Sequence, residues 1–267
     1  MEHGILEIGP GQLALALVFI LAAGATSLYH GLKLERDLLV GALRTFVQLF
    51  LLGYILRYIF HLNSVWLVLV VFMFMIVFAA RIIRGRVEEK QVSFFWPILI
   101  SMVISYSLVS ILVTGVVVGA KPWWKPQYFI PLAGMLIGNS MNAMAISLDR
   151  LLGELRKRRQ DVEMMLCLGA DYQEASKDMV STAMRAGMIP SINSMMAAGV
   201  VFIPVMMTGQ ILAGADPVLA IRYQIVVMIM LVGSTAIVSL LAVLIERRLC
   251  FGPGHQLLLR PRNIGSE

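Results

Sequence analysis

Seven stretches of this chain are long enough and apolar enough to cross a lipid bilayer, and that one feature limits the fold more than any other. A bilayer core takes about 20 consecutive, mostly apolar residues as a helix, with a range of about 17–25. Gly11–Tyr29, Leu38–Phe60, Val65–Ile83, Ser93–Gly119, Tyr128–Leu148, Ser191–Leu212 and Pro217–Glu246 answer to that rule. The last is the longest and must tilt or protrude. Only Glu2 and Glu7 precede the first as charged residues, so the basic flank of a signal peptide is lacking and the segment reads as a retained helix. The predicted fold is all-α: a polytopic membrane protein of seven transmembrane helices, one domain over residues 1–267.

Composition closes off the other classes. Hydrophobic residues make up 59% of the chain and charged ones 14%, against about 25% charged in soluble domains. A soluble enzyme and a disordered chain are both excluded. The net charge of +6 does not point to nucleic acid, because the basic residues gather at the ends of the spans. With the N-terminus outside, the inner segments hold Lys33 and Arg36; Arg81, Arg84, Arg86 and Lys90; Arg150, Arg156, Lys157, Arg158, Arg159, Lys177 and Arg185; and Arg247, Arg248, Arg260 and Arg262. That is 17 of the 22 basic residues, with only Lys121 and Lys125 in outer loops. The positive-inside rule then orients the chain N-out and C-in. Cys167 and Cys250 fall on the reducing side, where no disulfide is expected.

Several chemistries are missing. No Asp or Glu sits in the middle of a span; Asp149, Asp216 and Glu246 lie at span ends, which weighs against an ion-coupled carrier. Segment seven has no lysine for a retinal Schiff base. There is no HExxH or GxSxG for a protease and no GxxxxGK[ST] for ATP. If ATP drives anything here, a partner subunit binds it with its Mg²⁺, and this chain holds no cofactor directly.

One connection is far longer than the rest. Residues 149–190 carry apolar positions at helical spacing up to Gly169. A glycine there suits a left-handed helix stop. Asp171 then starts a second helix, with Glu174 three residues on as in a capping box. The expectation is a helical hairpin in the cytoplasm, its second arm running toward Pro190. It is either a plain connector or a docking element; Met164, Met165, Leu168 and Tyr172 are more apolar than a connector requires.

The stretch Glu163-Met-Met-Leu-Cys-Leu-Gly169 resembles the EAAxxxG motif of ABC transporter permeases, with Met164 and Met165 in place of two alanines. The wider pattern PLAGMLIGNSMNAMAISLDRL, then LCLGADYQEASKDMVSTAMRAGMIPSINSMMAAGVVFIPVMMTGQILAGADPVLAIRYQ, is similar to the FetB family (UPF0014), and VGALRTFVQLFLLGYILRYIF extends the likeness over nearly the whole chain. The resemblance implies a permease in a bacterial cell membrane, a homodimer with two cytoplasmic ABC ATPase subunits, exporting iron or another metal ion or complex. It implies a transport subunit rather than an enzyme, and an ATPase-coupling tip of Glu163, Leu168, Gly169, Ala170, Asp171 and Tyr172. The rival readings are a self-sufficient channel or secondary carrier, transport of a non-metal small molecule, and a non-transporting scaffold or receptor.

Candidates for the substrate path come from polar groups inside the spans. Arg44 and Gln48 lie one turn apart on segment two; Arg44 either snorkels to the interface or faces a cavity. Segment five carries Asn139 and Asn142, which are costly in hydrocarbon unless bonded, and serve either as interhelical glue or as path residues. It also has Gly134 and Gly138 in a GxxxG spacing that signals close packing, and Met141 and Met144, which either pack the core or meet cargo. Asp216 and Pro217 read as N-cap and first residue of segment seven. Tyr223 and Gln224 come next, lining an outer gate or an interfacial belt.

Overall fold

The computed structural model describes residues 9–86 and 95–259. Glu2, Glu7, Lys90, Ser93, Arg260 and Arg262, all named above from the sequence, lie outside the described residues. Among the described residues ten helices succeed one another: α1 (Pro10–His30), α2 (Glu35–Leu62), α3 (Val65–Arg86), α4 (Phe95–Leu112), α5 (Pro126–Lys157), α6 (Arg159–Cys167), α7 (Tyr172–Ala175), α8 (Lys177–Ala197), α9 (Val205–Leu212) and α10 (Pro217–Leu249). Of these, α1, α2, α3, α4 with the π turn at its end, α5 and α10 are long and apolar enough to cross a membrane.

The chain divides into two compact bodies. The first holds the described residues through Ser64 with Gln210–Ala215. Its two long helices pack as a pair. Pro10 opens α1, where its missing N–H is one that the first turn leaves unpaired anyway. Gly31 closes the helix at φ +65, a left-handed position that glycine reaches without Cβ strain. The turn into α2 is tied by Ser27 Oγ, which donates to Glu35 Oε2 at 3.0 Å and accepts from the Leu34 amide at 2.9 Å. Large apolar side chains such as Phe19, Leu43, Val47 and Phe50 face outward, as lipid-solvated helices require.

The second body is built around α5, which packs against α3, α4, α8 and α10. Its buried face runs from Phe129 through Leu136, Met144, Leu148 and Leu151 to Leu155, a 3–4 spacing that holds one stripe inward. At Gly187, α8 lies tight against α5. A Cβ on Gly187 would overlap Ser147 Oγ and lie 2.5 Å from the Ala143 carbonyl oxygen, so only glycine lets these backbones meet. The expected GxxxG contact falls elsewhere: Gly134 faces the Met75 methyl of α3, while a Cβ on Gly138 would meet nothing within 4 Å.

The expected hairpin is present, and only the outer part of each arm is continuous with a long helix of the bundle, α5 on one side and α8 on the other. Segment five and the first part of the first arm form the single helix α5, which ends at Lys157 before α6, and α8 runs from the second arm straight through Pro190. Proline removes one intrahelical hydrogen bond, and neighbouring helices make such a loss tolerable in a membrane bundle. Segment six, expected as one span over Ser191–Leu212, is not one helix. α8 ends at Ala197, Gly199 turns at φ +83, the Gly199 amide donates to the Phe202 carbonyl at 2.9 Å, and α9 restarts after Pro204. Gly199 and Pro204 explain the break: one favours a left-handed turn, the other cannot donate to a helix it enters. Length alone suggests a span here, but the punctuation within the apolar run decides its shape.

Candidate functional site

Three neighbouring residues on α5 reach four other helices. Asn139 Nδ2 donates to Thr235 Oγ1 of α10 at 3.0 Å and to Ser191 Oγ of α8 at 3.3 Å. Ser140 Oγ lies 2.6 Å from Tyr106 Oη of α4 and also donates to the Leu136 carbonyl. Asn142 Oδ1 accepts from Arg86 Nη1, at the end of α3, at 2.6 Å. The helix turn separates their directions: Asn139 and Ser140 point into the bundle, Asn142 to its surface. An amide in an apolar bundle is costly unless bonded, and Asn139 uses both N–H groups across the packing.

Met144 is fully buried beside this knot in sequence, and Met141 is half-buried. Gln224 of α10 is buried with its Oε1 unpaired among the described residues, while Tyr223 is part-exposed. Buried hydroxyls of Ser105, Ser110, Thr114, Ser147 and Ser239 are also without a partner among the described residues. Arg44 and Gln48 belong to the first body, on an exposed face of α2. Asp216 caps α10 as expected, its Oδ1 accepting from the Leu219 amide at 3.0 Å. No group of three or more His, Cys, Asp and Glu among the described residues is placed to hold a metal ion.

Glu246 is a group that sequence reasoning sets aside as a span end. It is 1% exposed, and neither carboxylate oxygen has a hydrogen-bond partner among the described residues. The signal was available: Thr235, Ser239, Ala242 and Glu246 recur at 3–4 spacing on the buried face of α10.

The hairpin tip has the geometry its residues dictate. Gly169 takes φ +97, and the Ala170 amide donates to the Met165 carbonyl at 3.1 Å to end α6. Asp171 then caps α7: its Oδ1 accepts from the Glu174 amide at 2.7 Å, and Glu174 Oε2 accepts from the Asp171 amide at 3.3 Å. This fixed turn leaves Leu168 81% exposed and Met164 59% exposed. Glu163 pairs with Arg159 at 2.7 Å.

The segment after α10 also belongs to the tip, a placement that sequence reasoning misses. The Phe251, Leu257 and Leu259 side chains are buried, and the Tyr172 amide donates to His255 Nδ1 at 3.2 Å. The signal was FGPGHQLLL, a glycine-proline turn between apolar residues. Cys250 is fully buried and Cys167 exposed. Burial, with the Glu246 carboxylate adding to it, pushes the Cys250 thiol well above the usual thiol range.

The family model described as uncharacterised protein family UPF0014 matches residues 10–251. A UPF0014 membrane protein of Synechocystis is 34% identical, over 97% of this chain and all of that one. A protein of Escherichia coli named as the probable iron export permease FetB is 32% identical, over 93% of this chain and 94% of its own. Protein ALUMINUM SENSITIVE 3 of Arabidopsis thaliana is 33% identical, over 85% of this chain and 82% of its own. No solved structure matches. With its apolar helices and these relatives, the chain is a multi-pass membrane protein that belongs to the UPF0014 family.

Proposed function

We propose that this chain is the membrane subunit of an ATP-driven ABC transporter that exports iron or another metal ion or complex. In this reading two copies form a homodimer in the cell membrane, oriented N-out and C-in. A separate ATPase subunit binds ATP and Mg²⁺, and this chain catalyses nothing itself. The observation that carries the reading is the hairpin tip. Leu168 and Met164 are held outward on a turn made rigid by a left-handed glycine and a reciprocal cap, and a rigid apolar knob costs little ordering entropy when a partner's groove closes on it. Glu163, Gly169, Ala170, Asp171 and Tyr172 form and support that knob.

Cargo and direction come from the name of the Escherichia coli relative. Within the second body, Asn139, Asn142, Met141, Met144, Tyr223 and Gln224 are the path candidates, with Arg44 and Gln48 of the first body to be tested beside them. The test is co-purification of an ABC ATPase from detergent extract, then vesicle transport of iron. ATP-dependent, vanadate-sensitive movement is expected; iron movement that persists without any ATPase refutes the reading.

Glu246 favours a second reading. Ion-coupled carriers keep a carboxylate inside the bundle, and this one is buried with no partner among the described residues. A secondary carrier would lose transport to a protonophore and to Glu246→Gln, and would ignore vanadate.

A further inference from the structure

We propose that Arg248, Phe251 and His255 are positioning residues for transport: with residues 250–259 they form a strap that ties the hairpin tip to α10, so that movement of the tip reaches α10 directly. The inference rests on the tip being the ATPase dock.

The tip needs such a tie because both of its arms are interrupted. α6 is separated from α5 at Arg158, where φ is −102 and ψ 29, outside helical values. α7 is separated from α8 at Ser176, with φ −112 and ψ 4. Residues 159–175 therefore join α5 and α8 through a break on each side. A push on Leu168 would be absorbed at these breaks unless something else held the tip.

The strap holds it from both sides. Tyr172, the first residue of α7, is surrounded by the end of α10 and the first residues of the strap. The guanidinium carbons of Arg248 and Arg247 lie 4.8 and 5.5 Å from its ring centroid. The His255 ring is edge-on at 5.3 Å and the Phe251 ring tilted at 5.7 Å. On the other arm, Arg159 Nη1 donates to the Leu259 carbonyl while its Nε pairs with Glu163. The strap closes on itself through the Leu258 amide to the Cys250 carbonyl and the Gly252 amide to the Gln256 carbonyl, both 2.8 Å. Burial of Phe251, Leu257 and Leu259 anchors it. Farther along, α10 carries Thr235, whose Oγ1 accepts from Asn139 Nδ2. The strap thus connects the tip to the helix that Asn139 grips.

The two cysteines report on the strap without added probes. Cys167 is exposed on the tip, and Cys250 is buried where the strap leaves α10. In detergent-solubilised wild type, maleimide should modify Cys167 and spare Cys250. Arg248→Gln with His255→Ala removes a cation over the ring and a hydrogen bond. Local opening should then rise, and Cys250 labelling should quicken about five- to tenfold. In the ATPase complex, the same variant should keep co-purification and ATP hydrolysis, because Met164 and Leu168 are untouched, while transport per ATP falls severalfold. Arg248→Lys, which keeps a cation over Tyr172, should retain both the protection and the coupling. Labelling of wild-type Cys250 as fast as Cys167 would overturn the strap. Released Cys250 with unchanged transport per ATP would overturn its coupling role. If the wild-type complex moves nothing in response to ATP, the ATP-driven reading falls and the coupling role with it, and the labelling contrast then shows the strap as a fastening only.

Discussion

Gly187→Ala and Gly138→Ala make the same chemical change on two packed helices, α8 and α5, and should have opposite consequences. Each replaces a helical glycine, so the gain from alanine's better helix propensity, about 0.5–1 kcal/mol, is common to both and cancels in the comparison. The difference between them is steric. At Gly187 the new methyl meets Ser147 Oγ, which can rotate away, and the Ala143 carbonyl oxygen at 2.5 Å, which cannot because it belongs to the α5 backbone. An ordinary carbon–oxygen contact is close to 3.3 Å or more, so α8 must retreat by the better part of an ångström. Forcing a methyl into a packed interface costs about 1–3 kcal/mol. At Gly138 a Cβ meets nothing within 4 Å, so the steric cost is absent. The assay is thermal unfolding in detergent, with Ser147→Gly as a second background. Gly187→Ala should melt several degrees below Gly138→Ala, and Ser147→Gly should recover only part of the loss, since the backbone contact persists. Equal melting temperatures, or a Gly138→Ala protein less stable than Gly187→Ala, would refute the α5–α8 packing.

Other outcomes rest on single contacts. Asn139→Leu breaks two interhelical bonds, each worth about 0.6 kcal/mol and at most about 1.7, and should lower thermal stability, whereas Asn142→Leu, at the bundle surface, should leave stability nearly unchanged; measured beside transport, the pair separates glue from path. Asp171→Ala should cost about 0.5–2 kcal/mol of cap stability, and Gly169→Val at least about 1 kcal/mol at the left-handed position, both read as lost ATPase co-purification with dimerisation kept. Cys250 should remain a thiol when the unfolded chain ionises it above about pH 8.5; folded-state stability should therefore fall as pH rises from there, by up to about 1.4 kcal/mol per unit, and Cys250→Ala should remove that slope in denaturation curves. A cysteine introduced at Gln127 should react with impermeant reagent from outside and one at Gln160 should not; the reverse pattern would sink the N-out orientation.

Local chemistry decides which features are legible in the sequence. Gly169, Asp171 and Glu174 specify a turn among themselves, and Asp216 with Pro217 specify a helix start, so both can be found without knowing any neighbour. The spans are legible for the same reason, since crossing a bilayer asks only for length and apolarity. Segment six is misread when Gly199 and Pro204 are weighed less than the apolar run that contains them. Tertiary choices are not legible. Gly134, Gly138 and Gly187 look alike in sequence, and only the path of α5 beside α8 makes Gly187 the one of the three that no side chain can replace. Asn139 and Asn142, three residues apart, invite the same reading, yet the turn between them sends one to Ser191 and Thr235 and the other to Arg86. The strap escapes notice for a different reason. Its contacts join residues 83 positions apart, Tyr172 and His255, and nothing local to FGPGHQLLL states where its apolar side chains come to rest. The same holds for Glu246: a carboxylate at the end of an apolar run is a surface group unless the chain beyond it folds back, and here Cys250, Phe251 and Leu257 are all buried where the chain does so.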